Sequence, residues 1–144
     1  MIIKSIGPNE KLRYLGVNFN SEIIVDEQKI ISLLNNDLNF LAGTSMLSSH
    51  QKLMIINQYI RPKLIYSFQT TSLDKLNVGF LKNIDKVIRS CTKQMLNIPA
   101  DTPDAMIYSS KTQKGLQLIR AEWEAPIQVL NNFRTLQLSN NEYV

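Results

Sequence analysis

The apolar residues of this chain follow two different periods. Up to residue 25 they sit in short β-rich runs; from residue 26 they recur every three or four positions. Ile2, Ile3 and Ile6 precede the breaker Gly7-Pro8-Asn9. Leu12, Tyr14-Leu15, Val17 and Phe19 then form one strand-like run, Asn20-Ser21 reads as a turn, and Glu22-Ile23-Ile24-Val25 as a return strand. Residues 1–25 are therefore expected to form a small β-hairpin. Gly16, inside the first strand, marks a bulge or the close approach of another backbone.

The helical period begins at Asp26, a good N-cap, with Ile30, Leu33, Leu34, Leu38 and Leu41 on one face and Gly43 as the stop. A second helix starts near Ser48, with Gln51 as its capping-box partner. Its apolar positions are Leu53, Ile56, Tyr59, Ile60, Leu64 and Phe68. Pro62 lies inside it and predicts a kink near Arg61, because proline removes a backbone donor and crowds the preceding turn. The third helix carries the narrow seam Leu81, Ile84, Ile88, Cys91 and Met95. Beside it runs a stripe of cations, Lys82, Lys86, Arg89 and Lys93, with Asp85 placed to pair with Arg89.

Asn97 to Pro103 reads as a hinge. Thr102 is expected to cap a short helix opening at Pro103, with Ala105, Met106 and Tyr108 as its apolar residues. After the turn Lys114-Gly115 comes an amphipathic stretch with Trp123, Ile127, Leu130, Phe133 and Leu136 or Leu138, interrupted by Pro126. The fold class expected is mainly α: the N-terminal β-hairpin over 1–25, a three-helix bundle over 26–98, and one or two C-terminal helices over 99–144.

Composition narrows the function classes. The 144 residues are 44% hydrophobic and 19% charged, which suits one globular domain and excludes collagen-like or disordered chains. Apolar runs stop at about five residues, where a membrane helix needs ~20. One cysteine and one histidine exclude an internal disulfide and a multi-histidine metal cage. A reduced, intracellular, soluble domain is expected. The net charge of +4 is segregated. Residues 48–98 hold eight Lys/Arg against Asp74 and Asp85, net +6, and each flank is net −1. A basic segment between near-neutral ones points to a polyanion.

Catalytic constellations are scarce. The sequence has no Gly-rich phosphate loop, no HExxH helix, no Asp-Asp and no Asp-x-Asp. Asp101 and Asp104 flank Pro103 and suit a helix start better than a two-metal site. His50 beside Ser48 and Ser49 lies where neighbours do not face each other. Cys91 falls in the apolar seam, as a small core residue. Trp123 and the phenylalanines at helical spacing read as core rather than a base-stacking platform. The cation stripe remains, and Lys and Arg that neutralise phosphates give salt-dependent, sequence-independent binding.

Several runs look familiar in order. Tyr14-Leu15-Gly16-Val17 resembles the motif after the palm of reverse transcriptases. Gln51-Lys52-Leu53, Tyr59 to Tyr66, Leu81 with Ile84-Asp85 and Ile88-Arg89, Leu96 to Pro103, and Gly115-Leu116 resemble non-LTR, LINE-like retrotransposon reverse transcriptases of the site-specific kind. The ordered set, from about residue 12 to residue 130, carries the resemblance. Two departures stand out. The usual basic or proline-containing entry to the second thumb helix is here Ser48-Ser49-His50, and a glycine pair is reduced to Lys114-Gly115.

The resemblance implies the end of a palm, a helical thumb and the segment after it, gripping an RNA/DNA template–primer duplex in the nucleus. The palm's catalytic aspartates, with their Tyr-x-Asp-Asp turn, have no counterpart in this sequence. No polymerase activity is therefore expected of it alone, and no cofactor, Mg2+ belonging to the palm. The expected phosphate contacts are Lys52, Arg61, Lys63, Lys82, Lys86, Arg89 and Lys93, and the expected partners are the duplex and the remainder of a reverse transcriptase. The rival expectation is a retroelement-derived interaction module that self-associates through its exposed hairpin edge.

Overall fold

A computed structural model of the chain describes residues 12–14, 17–19, 26–69 and 76–138. These residues are mainly helical. Two three-residue strands, β1 (Leu12–Tyr14) and β2 (Val17–Phe19), pair antiparallel with Leu12 opposite Phe19 and Tyr14 opposite Val17. The expected single strand is thus two strands, and the register leaves only Leu15 and Gly16 between them. Residues 15 and 16 lie outside the described residues. The expected turn at Asn20-Ser21 and return strand Glu22 to Val25 lie outside the described residues.

Helix α1 spans Glu27–Gly43, and the Asp26 side chain accepts from the Lys29 N–H at 3.4 Å, as the sequence predicts. Its buried stripe is Ile30, Leu34, Leu38 and Leu41, with Leu33 turned outward. Helix α2 (Ser49–Ile55) opens with the full capping box: Gln51 N–H donates to Ser48 Oγ, and Ser48 N–H to the Gln51 side chain. A π-helical turn, Ile56–Ile60, joins α2 to α3 (Arg61–Gln69). Here the Pro62 kink takes a specific form. The ring crowds the carbonyl one turn back and offers it no N–H. The chain widens instead, so that Arg61 N–H reaches Ile56 O, five residues back. The wider turn also rotates Tyr59 into solvent, against the expectation that it is apolar core, while Leu53, Ile56, Ile60, Leu64 and Phe68 stay buried.

Helix α4 (Val78–Met95) is capped by Asn77, whose side chain accepts from Phe80 N–H at 3.3 Å. Leu81, Ile84 and Ile88 of the predicted seam are buried, with Cys91 and Met95 partly so. The seam meets α1, and Phe80 meets Phe68 edge-on at 6.4 Å. The helix ends in a complete Schellman motif. Asn97 takes φ 53°, its N–H donates to Gln94 O at 3.2 Å, and Ile98 N–H donates to Lys93 O at 2.9 Å. The run Leu96-Asn97-Ile98-Pro99 is therefore a helix stop: Asn tolerates the left-handed position, and Pro cannot continue the helix.

Helix α5 (Asp104–Tyr108) begins one residue later than expected, with Pro103 rather than Thr102 at the N-cap and no side-chain cap. Its buried residue is Ile107, not the predicted Ala105, Met106 or Tyr108. A short 3-10 turn (Lys111–Gln113) follows, and the chain returns along α5 with Leu118 N–H on Ile107 O at 3.1 Å. Helix α6 (Ala121–Leu138) packs against α3 and α4, with Ala125 fully buried. Residues 131–138 are exposed on every side. Among the described residues no helix is long and apolar enough to cross a membrane.

Candidate nucleic-acid interface

The seven predicted cations occupy three separate places. Lys52 and Lys63 face α1: Lys52 Nζ lies 3.4 Å from Ala42 O, and Lys63 Nζ 2.6 Å from Asp37. Arg61 lies between α3 and α6, its guanidinium 3.0 Å from Glu124. Only Lys82, Lys86, Arg89 and Lys93 share one side of one helix, because spacings of four, three and four place them in a row along α4.

Most of that row already has internal partners. Lys82 stands 3.6 Å from Glu122 at the start of α6. Arg89 donates to Asp104 in the first turn of α5, so the expected Asp85–Arg89 pair does not form. Lys93 donates to the carbonyls of Ala100 at 2.8 Å and Thr102 at 2.7 Å, folding the hinge back onto α4. Lys86 is exposed and has no ion pair among the described residues. Between α4 and the folded-back hinge lies an open groove of about 630 Å³. Lys86, Arg89, Lys93, Ser90 and Gln94 form one wall, and Ile98 with residues 100–104, including Asp101, the other. The Schellman stop creates this groove by reversing the chain beside the basic helix.

Asp85 has a role the sequence did not disclose. It is buried, and its two oxygens accept from the main-chain N–H groups of Ala121 at 2.7 Å and Glu122 at 3.1 Å. A side chain of α4 thus caps the N-terminus of α6. Burial pushes its carboxyl above the ordinary value of 3.8, and the two N–H donors and the charge of Arg120 oppose that rise. Arg120 in turn lies over two rings, 4.4 Å from the Tyr108 centroid and 4.7 Å from that of Trp123. Burial, and after it the Asp85 charge, raises the Tyr108 hydroxyl. Trp123 is 60% exposed and Phe133 59% exposed, which corrects their assignment to the core. Helical spacing shows only that the residues share a face, not that another element covers it.

The remaining chemistry candidates keep their bland roles. His50 is exposed on the first turn of α2. Burial raises the Cys91 thiol, opposite to the shift that activates a cysteine. Asp101 and Asp104 line the groove, and Asp104 is occupied by Arg89. Among the described residues no three His, Cys, Asp or Glu side chains gather as a metal site.

No family model matches the chain. It is 26% identical, over 145 aligned positions and 97% of its length, to a retrovirus-related Pol polyprotein from type-2 retrotransposable element R2DM of Drosophila melanogaster. It is 29% identical, over 94 positions and 65% of its length, to a retrovirus-related Pol polyprotein from type-1 retrotransposable element R2 of Popillia japonica. It spans 13% of the length of each of these relatives. The chain is homologous to the Pol polyproteins of R2 non-LTR retrotransposons, which supports a retroelement origin.

Proposed function

We propose that this chain is a thumb-like, non-catalytic nucleic-acid-binding segment that holds an RNA–DNA template–primer hybrid by its phosphate backbone. The observation that carries this reading is the row Lys82, Lys86, Arg89 and Lys93, three members of which wall the open groove beside α4. A rigid helix held by a buried seam can present cations at fixed spacing to a duplex. The homology to Pol polyproteins supports a nucleic-acid partner, and the net +6 of residues 48–98 supports its polyanionic character. In this reading β1 and β2 are the edge of a palm, and residues 99–138 are the element that braces the thumb from behind. The test is binding of the purified chain to an RNA–DNA hybrid across a salt series. Affinity in the micromolar range that falls steeply with salt supports the reading; absence of binding at low salt rejects it.

A second reading, a protein-interaction module, has its own observation. Ile127, Leu130, Phe133 and Leu136 are all exposed along α6, and exposed apolar stripes of this size mark contact surfaces. Sedimentation of the chain over a range of concentrations tests it. A mass that rises with concentration and falls on Phe133→Glu favours the module; a constant monomer mass rejects self-association.

A further inference from the structure

Trp123 is the single tryptophan of the chain and sits in the first turn of α6. The residue is 60% exposed, while Leu118 and Ala125 nearby are buried. It does not hang free. The Arg120 guanidinium lies over it at 4.7 Å and over Tyr108 at 4.4 Å, so the indole is braced on a planar cation. Among the described residues no carboxylate lies within ion-pair distance of Arg120, although Asp85 is near enough to feel its charge. The first turn of α6 is fastened to α4 through Asp85, and Glu122 meets Lys82 there at 3.6 Å. An exposed, braced aromatic ring therefore adjoins the basic row of α4.

We propose that Trp123 stacks, on its face away from Arg120, an unpaired nucleobase of a single-stranded extension leaving the bound duplex, while Arg120, still stacked on the ring, donates in its own plane to the adjoining phosphate. This proposal rests on the nucleic-acid reading above and extends it to a second kind of contact. The chemistry fits a nucleotide better than a protein side chain. Stacking needs a flat, open π-face, phosphate needs an unpaired guanidinium, and the site supplies both within three residues. Sequence spacing gave no sign that Tyr108 of α5 lies against the other side of this pair, under Arg120.

Because the chain has one tryptophan, its intrinsic fluorescence reports this ring alone. The 144-residue chain would be titrated with two RNA–DNA hybrids of equal duplex length, one blunt and one carrying a single-stranded extension, with anisotropy of a dye at the far duplex end recorded in parallel. The extended hybrid is expected to quench the tryptophan saturably, and the blunt one to bind with little quenching. Trp123→Ala should weaken the extended hybrid about tenfold, leave the blunt one unchanged, and be rescued in large part by Trp123→Phe. Binding of both hybrids with no quenching, and no effect of Trp123→Ala, overturns the stacking proposal and leaves the duplex reading standing. Absence of binding to either hybrid overturns both. Emission that changes with protein concentration alone makes Trp123 a protein contact and overturns the stacking assignment.

Discussion

Asp85 on α4 accepts the main-chain N–H of Ala121 at 2.7 Å and so caps a helix that starts 36 residues later. The same carboxylate also takes Glu122 N–H. One buried side chain therefore sets where α6 begins and how it crosses α4, which in turn places Glu122 beside Lys82 and Trp123 beside Arg120. Asp85→Ala leaves two N–H donors without their acceptor. It is expected to cost about 2 kcal/mol in urea unfolding, with Asp85→Asn costing less because one acceptor oxygen remains. A loss within error for Asp85→Ala contradicts the capping role.

The pH dependence of the same group has a definite sign. Burial holds the Asp85 carboxyl above 3.8, so the folded chain keeps this proton to higher pH than the unfolded chain does. Its contribution to stability is therefore fully present below the unfolded value and is lost as pH rises through the folded one. The stability gap between the native chain and Asp85→Asn should widen as pH is lowered from neutral toward the ordinary carboxyl value of 3.8. A gap that narrows on acidification contradicts the assignment.

Two adjacent positions give opposite predictions. Lys114 takes φ 61°, where a glycine carries no steric penalty. Lys114→Gly, which makes a glycine pair with Gly115, is expected to raise stability by about 0.5–1 kcal/mol. At Gly115 a Cβ would lie 2.2 Å from Ser109 O, a backbone atom that cannot step aside. Gly115→Ala should cost about 3 kcal/mol or more. Thermal unfolding of the two variants checks both.

The Arg89–Asp104 pair implies that part of the basic row is held in reserve. Asp104→Ala releases Arg89 and costs little stability, since the pair is substantially exposed. The released cation should raise the salt slope of hybrid binding by about one, as it gains a phosphate. Lys63→Ala, which removes a cation paired with Asp37 on the far side of α3, should leave the slope unchanged. A steeper effect from Lys63 than from Arg89 contradicts the position of the interface.

What the sequence disclosed and what it did not divide by distance along the chain. Asp26 with Lys29, Ser48 with Gln51, and the seam Leu81-Ile84-Ile88 are relations within a turn or two, which backbone geometry settles almost alone. Pro62 likewise announced a disturbance, though not its π-helical form. Arg61 with Glu124, Arg89 with Asp104 and Asp85 with Ala121 are tertiary meetings, and spacing cannot show them. That is why the basic row was legible as a row, while the partners that occupy most of it were not. It is also why Trp123 was placed inside the core: periodicity names a face and is silent on what covers it.

If the α4 row holds a duplex by its phosphates, Lys86 is the member that matters most, being exposed and without an ion pair among the described residues. The most direct measurement is the salt dependence of RNA–DNA hybrid binding, by fluorescence anisotropy, for the native chain and Lys86→Ala side by side. Binding by the native chain is expected to be steeply salt-dependent, and the variant's slope lower by about one at unchanged stability. Identical slopes for the two proteins, or no binding at low salt, would contradict a duplex-holding role for the row.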